Sequence, residues 1–148
     1  MTALHLATAA DIERLLPLVR AFHQEAAITV DEDTRVEALR PLLDGSPHGA
    51  IWLVGPARAP IGYVVICFGW SIEFGGMDGF VDELYIRPSV RGRGIGTEVL
   101  MALPKTLSAS GLKALHMEVS RVAVRIQESY RRAGFQPRQD YMLMTRRF

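Results

Sequence analysis

The sequence predicts a mixed α/β fold in one domain, on three observations. A strand at Val81 to Ile86 runs into a basic, glycine-rich turn and then a helix, so the chain holds at least one β-turn-α unit. Two β-rich runs, Ala50 to Val54 and Ile61 to Trp70, are joined by the short Pro/Gly link Gly55 to Pro60, which reads as an antiparallel hairpin. Segments with helical spacing alternate with strand candidates along the whole of the 148 residues, with no linker, repeat or low-complexity tract to divide them.

Ala3 to Ala7 is a short strand candidate, followed by Thr8-Ala-Ala-Asp11, which resembles a capping box. Ile12, Leu15, Leu16, Val19 and Phe22 then share one helical face, and Pro17 is expected to bend or split that helix. Ala26 to Asp33 reads as a polar, acidic connection. Val36, Leu39, Leu42 and Leu43 suggest a shorter second helix ended by Asp44-Gly45. After the hairpin, Gly69 to Gly79 is a looser link into the strand at Val81, which makes a second hairpin. A helix follows from about Gly94 to Ser110, with a bend expected at Pro104. Leu112 to Val119 alternates as a strand, Ser120 opens a last helix that Gly134 ends, and Tyr141 to Thr145 is predicted to close the chain as a strand.

Hydrophobic residues make up 49% of the chain, enough for a substantial core. Seventeen basic residues against 16 acidic ones give no global attraction to nucleic acid or anionic membrane, so charge recognition must be local. One cysteine, Cys67, excludes an internal disulfide framework and fits a reducing compartment. No apolar run reaches membrane-spanning length and the start lacks the pattern of a signal peptide, so a cytoplasmic location is expected, with neither nucleic acid nor membrane as partner. The four histidines are scattered and nothing has metal-site spacing, so no metal is expected.

The chemistry concentrates at Arg91-Gly92-Arg93-Gly94-Ile95-Gly96-Thr97. Glycines remove the side chains that would keep a ligand off the backbone, and the N–H groups at the positive end of the following helix can then meet a phosphate. Arg91 and Arg93 add full charges. The run fits neither the dinucleotide G-x-G-x-x-G nor a P-loop.

Arg91-x-x-Gly94-x-Gly96, five residues after Ile86 of a D-E-L-Y-I strand, resembles the pyrophosphate-binding turn of the GCN5-related N-acetyltransferase (GNAT) superfamily. A second landmark of that family, a helix ending in Y-x-x-x-G-F, is present at Tyr130 to Phe135. The element order β-α-α-β-β-β-α-β-α-β is also that of the acyl-CoA N-acyltransferase fold, so the resemblance covers nearly all of residues 1 to 148. One departure is that Ala123 stands where relatives often carry an Asn that contacts pantetheine, and Ile126 where they often carry Ala.

The resemblance implies a mostly antiparallel, mixed sheet with two splayed parallel strands, flanked by helices. It implies transfer of an acetyl group from acetyl-CoA, as cosubstrate, to a primary amine of a small molecule or peptide. Backbone groups of Leu84, Tyr85 and Ile86 would bind pantetheine, and Gly92 to Thr97 the pyrophosphate, with Arg91 and Arg93 beside it. Glu83 is the candidate base, acting directly or through water, with Asp82 as rival because adjacent strand residues face opposite ways. Deprotonating a lysine-like amine at neutral pH costs about 4 to 5 kcal/mol, so such a base is useful. Tyr130 is the candidate acid for the leaving thiolate, a phenol that keeps its proton at neutral pH.

Each of these residues also has a purely structural reading: Glu83 as a solvated strand carboxylate, Tyr130 as a core aromatic. His23 with Glu25 is a weaker candidate for contact with the acceptor, and His5, His48 and His116 read as structural or solvated. Asp31, Glu32, Asp33, Glu73 and Asp78 would form an acidic rim suited to a cationic amine, and Trp70, Phe74 and Phe80 flank the same region. A homodimer through strand edges or the C-terminal segment fits the resemblance. The alternative functions are a non-catalytic acyl-CoA-binding or regulatory module of the same fold, and a phosphate-binding domain unrelated to CoA.

Overall fold

A computed structural model describes residues 2 to 148. The strands are β1 (Leu4–Leu6), β2 (Gly49–Val54), β3 (Gly62–Ser71), β4 (Gly76–Ile86) and β5 (Ala114–Met117), and the helices α1 (Ile12–Glu25), α2 (Glu32–Leu43), α3 (Ile95–Ala109) and α4 (Val124–Arg132). The strands form one sheet in the order β1-β2-β3-β4-β5. All neighbours are antiparallel except β4 and β5, which are parallel and joined through α3. This is the mixed, mostly antiparallel sheet flanked by helices that the sequence predicts.

Period-two alternation in the strands divides the core between the two faces of the sheet. Leu15, Leu18 and Val19 of α1 and Leu39 and Leu43 of α2 bury against Ile51, Leu53, Tyr63, Val65 and Tyr85. Val99, Leu100 and Leu103 of α3 bury against Val54, Val64, Ile66, Val81 and Ile86, and Tyr130 and Phe135 pack onto the same cluster. Leu15 and Leu18 are almost wholly enclosed, and such burial stabilises by about 2 kcal/mol per side chain.

Local chemistry fixes the element ends. The Thr8 N–H donates to the Asp11 carboxylate at 2.9 Å, and Asp31 caps α2 by accepting from the Thr34 N–H at 2.8 Å. The predicted connection, Ala26 to Asp33, gives only its last residues to α2, with Asp31 as cap and Glu32 and Asp33 in the first turn, where carboxylates meet the positive end of the helix. Pro17, Pro41 and Pro104 all lie inside continuous helices, so none of the helices is split. Gly62 sits opposite Ile86, and a side chain there would overlap the Tyr85 carbonyl oxygen, so only glycine allows β3 and β4 to close at this point.

The expected final strand, Tyr141 to Thr145, does not form. Residues 141 to 148 have no regular structure, and Tyr141, Met142, Leu143 and Met144 are 63% to 85% exposed. Alternating apolar residues make a strand only against a partner edge. Arg138 instead ties the chain to the β3–β4 loop, donating to Glu73 at 3.0 Å and lying over the Phe74 ring.

Candidate active site

The sheet has a defect where the sequence places its candidate chemistry. Val65 opposes Glu83 while Ile66 opposes Val81, so Asp82 is an extra residue in β4, a β-bulge. Pairing of β4 with β5 stops at the same place. It runs from Asp78 opposite Ala114 to Val81 opposite Met117 and goes no further. Among the described residues the β5 side of β4 has no partner strand from Asp82 to Ile86, which is a splay between two parallel strands.

The register decides which backbone groups face that gap. The Arg87 N–H donates to the Ile61 carbonyl at 2.7 Å, so Arg87 and Ile61 are a hydrogen-bonded pair, and by alternation so are Tyr85 and Tyr63. Leu84 and Ile86 therefore turn their N–H and C=O groups away from β3, towards the gap, while those of Tyr85 join the ladder. The Ile86 carbonyl accepts from Arg91 Nε at 2.7 Å.

A short helical turn at Pro88–Val90 carries the chain from β4 into the glycine run. Gly92 and Gly94 have φ of +79° and +76°, in the left-handed region that glycine adopts freely. Among the described residues the amides from Gly92 to Thr97 meet no acceptor in the protein, and a Cβ built on Gly92, Gly94 or Gly96 meets nothing within 4 Å. Unpaired donors around open space at the start of α3 are the features an anion such as a diphosphate requires.

The two arginines behave differently. Arg91 grips Glu25 at the end of α1 with both terminal nitrogens, at 2.8 and 2.7 Å, and lies over the Tyr85 ring. These hydrogen bonds hold the Glu25 carboxyl below the usual carboxylate range. The Arg91 side chain thus braces the loop against α1, while Arg93 has no ion-pair partner among the described residues and supplies the open charge.

Glu83 faces α1 and α2. Its Oε1 accepts from the Tyr63 hydroxyl at 2.7 Å, and its Oε2 lies 2.7 Å from Nε2 of His23, which is 7% exposed. Arg35 Nε donates to the other ring nitrogen of His23, Nδ1, at 3.1 Å. Burial, then the nearby Glu83 charge, pushes the Tyr63 hydroxyl well up, so it stays protonated and donates. The bulge alters the expected rivalry of the two carboxylates. Glu83 is the carboxylate whose contacts place it on the α1 and α2 face, while Asp82, at the bulge, is exposed. The Asp82 carboxyl is pushed up, first by loss of surrounding water and then by repulsion from Glu83 and Glu118.

Tyr130 is half-buried on the opposite side of the sheet, with the Phe135 ring at 6.5 Å, and burial raises its hydroxyl. Among the described residues no group hydrogen-bonds that hydroxyl, yet no buried side-chain polar atom among them lacks a partner, so it reaches solvent. Four of the five acidic-rim candidates are engaged within the protein: Asp31 with the Thr34 N–H, Glu32 with Arg20 and Arg35, Asp78 with His116 at 3.2 Å, and Glu73 with Arg138. Sequence pattern singles out neither Tyr63 nor Arg35. Tyr63 is hidden in an apolar strand run, and Arg35 reaches His23 only because α2 folds back on α1. No group of three His, Cys, Asp or Glu among the described residues is spaced to hold a metal, and no helix among them is long and apolar enough to cross a membrane.

Comparison with known proteins fits this geometry. Among solved structures the chain resembles an integron cassette protein from the mobile metagenome of the Cole Harbour salt marsh, at 32% identity and TM-score 0.83, covering 97% of this chain and 89% of that one. It also resembles a protein of Arthrobacter sp. FB24 whose assignment as an acetyltransferase is itself provisional, at 26% identity and TM-score 0.79, covering 99% and 95%. A third likeness, in fold alone, is to the ribosomal-protein-alanine N-acetyltransferase of Brucella melitensis biovar Abortus 2308, at 20% identity and TM-score 0.76, covering 100% and 99%. A search of curated proteins finds no match. With the glycine turn, the bulged strand and the splay in place, and the acetyltransferase (GNAT) family model matching residues 12 to 135, the chain belongs to the GNAT acetyltransferase family.

Proposed function

We propose that this protein is an acetyl-CoA-dependent N-acetyltransferase, a single domain acting on a cationic primary amine of a small molecule or peptide. The observation that carries the reading is the splay. Backbone groups of Leu84 and the N–H of Ile86, turned to the gap, adjoin free amides at Gly92 to Thr97, and Glu83 stands on the same strand. The residues fit the cosubstrate: glycine amides and Arg93 for a diphosphate, strand backbone for a pantetheine amide. When bound, acetyl-CoA supplies an activated thioester.

The chain's own groups then have separate tasks. Glu83, or Asp82 beside it, takes a proton from the incoming ammonium directly or through water, since only the neutral amine attacks. Each Glu83 oxygen accepts one hydrogen bond from the protein and keeps a second acceptor position for the amine or a water. Backbone N–H groups facing the gap stabilise negative charge developing on a carbonyl oxygen. Tyr130 keeps its proton at neutral pH and offers it from its hydroxyl to the leaving sulfur.

The test pairs binding with turnover. Purified protein is incubated with acetyl-CoA and a panel of primary amines while free thiol is followed, and CoA affinity is measured by calorimetry. Thiol release with an amine supports the transferase, and retained CoA with no release across the panel favours the binding module. Gly96→Val is the cleanest probe of the cradle, because that position is helical and open and accepts a side chain without backbone strain. It is expected to fold and to lose CoA affinity at least about tenfold; unchanged affinity places the diphosphate elsewhere.

A further inference from the structure

We propose that His23 and Arg35 are positioning residues that fix the orientation and charge of Glu83; the inference rests on the reading of Glu83 as the base. The argument begins with Arg35, whose guanidinium has donors and no acceptor. Its Nε–H is directed at His23 Nδ1, so that nitrogen must present a lone pair. The ring proton of neutral His23 is then on Nε2, which lies 2.7 Å from Glu83 Oε2. His23 is thereby set as a donor to the carboxylate, and a second proton on Nδ1 would have to displace Arg35.

Arg35 is itself held. Nη1 donates to Glu32 at 2.9 Å and Nη2 to the Val30 carbonyl at 3.0 Å, while Glu32 is also held by Arg20. His23, Arg35, Glu32 and Arg20 are all anchored on α1 or α2, so the donor aimed at Glu83 is fixed before any substrate arrives. Tyr63 of β3 holds the other Glu83 oxygen at 2.7 Å. The nearest other carboxylate on the strand is Asp82, whose ionised form Glu83 disfavours. His23 and Tyr63 thus hold one Glu83 oxygen each, at 2.7 Å.

The experiment uses the full chain. Nitrogen-15 NMR of the histidine rings and carbon-13 NMR of the glutamate carboxyls are recorded against pH in wild type, His23→Leu, His23→Gln, Arg35→Met and Glu83→Gln. The expected wild-type result is His23 protonated on Nε2 at neutral pH, with Arg35→Met mixing the two tautomers. His23→Leu removes the donor and should raise the Glu83 midpoint by about one pH unit. His23→Gln, whose amide can still donate, should restore it. A wild-type His23 protonated on Nδ1, or a Glu83 midpoint unmoved in His23→Leu, overturns the proposal.

Thiol release with the most active amine of the panel separates this inference from the catalytic reading. His23→Leu should lower kcat about tenfold with CoA affinity unchanged, and should move the acidic limb of kcat/KM to higher pH. Full turnover in Glu83→Gln removes the base on which the inference stands, even with the hydrogen bonds seen by NMR. Lost turnover in Glu83→Gln alongside an unaltered kcat in His23→Leu overturns the positioning role alone.

Discussion

The two halves of β4 have the same neighbour on one side and opposite fates on the other. Asp78 to Val81 is paired by β3 and β5 together, whereas Glu83 to Ile86 is paired by β3 only. The change happens at one inserted residue. Before it, side chains alternate between the two cores and the strand serves stability. After it, the face pattern resumes one step out of phase, and backbone donors and acceptors are left open at a point beside the glycine turn. A bulge is the least disruptive way to open a sheet, because the register on the β3 side is restored immediately.

Three substitutions test this contrast. Gly62→Ala should have the largest effect, because its methyl would overlap the Tyr85 carbonyl oxygen and push β3 and β4 apart in the half with a single partner. The expected loss is roughly 2 to 4 kcal/mol, read by thermal or chemical denaturation, and a wild-type melting temperature would show that the strands yield freely there. Deletion of Asp82 should come next and act on function. It makes Val81 and Glu83 neighbours on opposite faces, as a regular strand requires, and lets β4 and β5 pair further. The protein is expected to remain folded while turnover falls about 100-fold or more from misplaced groups; turnover near wild type would show that the bulge is incidental to catalysis.

The smallest effect is expected of Asp82→Asn. The Asp82 carboxyl titrates higher in the folded chain than in the unfolded one, so its ionised form at neutral pH costs stability that protonation relieves. The variant should be more stable than wild type at neutral pH by on the order of a few tenths of a kcal/mol after solvent screening. The advantage should disappear once the pH falls below the ordinary carboxylate range. An advantage that persists there would mean that charge is not its source.

Much of this was readable from residues, and the limits have physical causes. The glycine turn, the strand before it and the helix after it are local features, and spacing along the chain was enough to find them. Glu83 and Tyr130 are identifiable through motifs that also depend on near neighbours in sequence. The bulge is different, since D-E-L-Y-I reads as an ordinary strand and only the partner residues reveal the extra one. The grip of Arg91 on Glu25 and the contacts of Tyr63, His23 and Arg35 span separations that no periodicity encodes. At the C-terminus the pattern Tyr141 to Thr145 has strand character but joins neither outer edge of the sheet, so local preference alone overstates the sheet.

His23 and Glu25 belong to the last turn of α1, one reaching Glu83 and the other Arg91. A single helical turn is thus the hub between the carboxylate that would handle the amine and the loop that would hold the nucleotide. A small molecule wedged between α1 and α2 would disturb both with one displacement, without competing for either ligand.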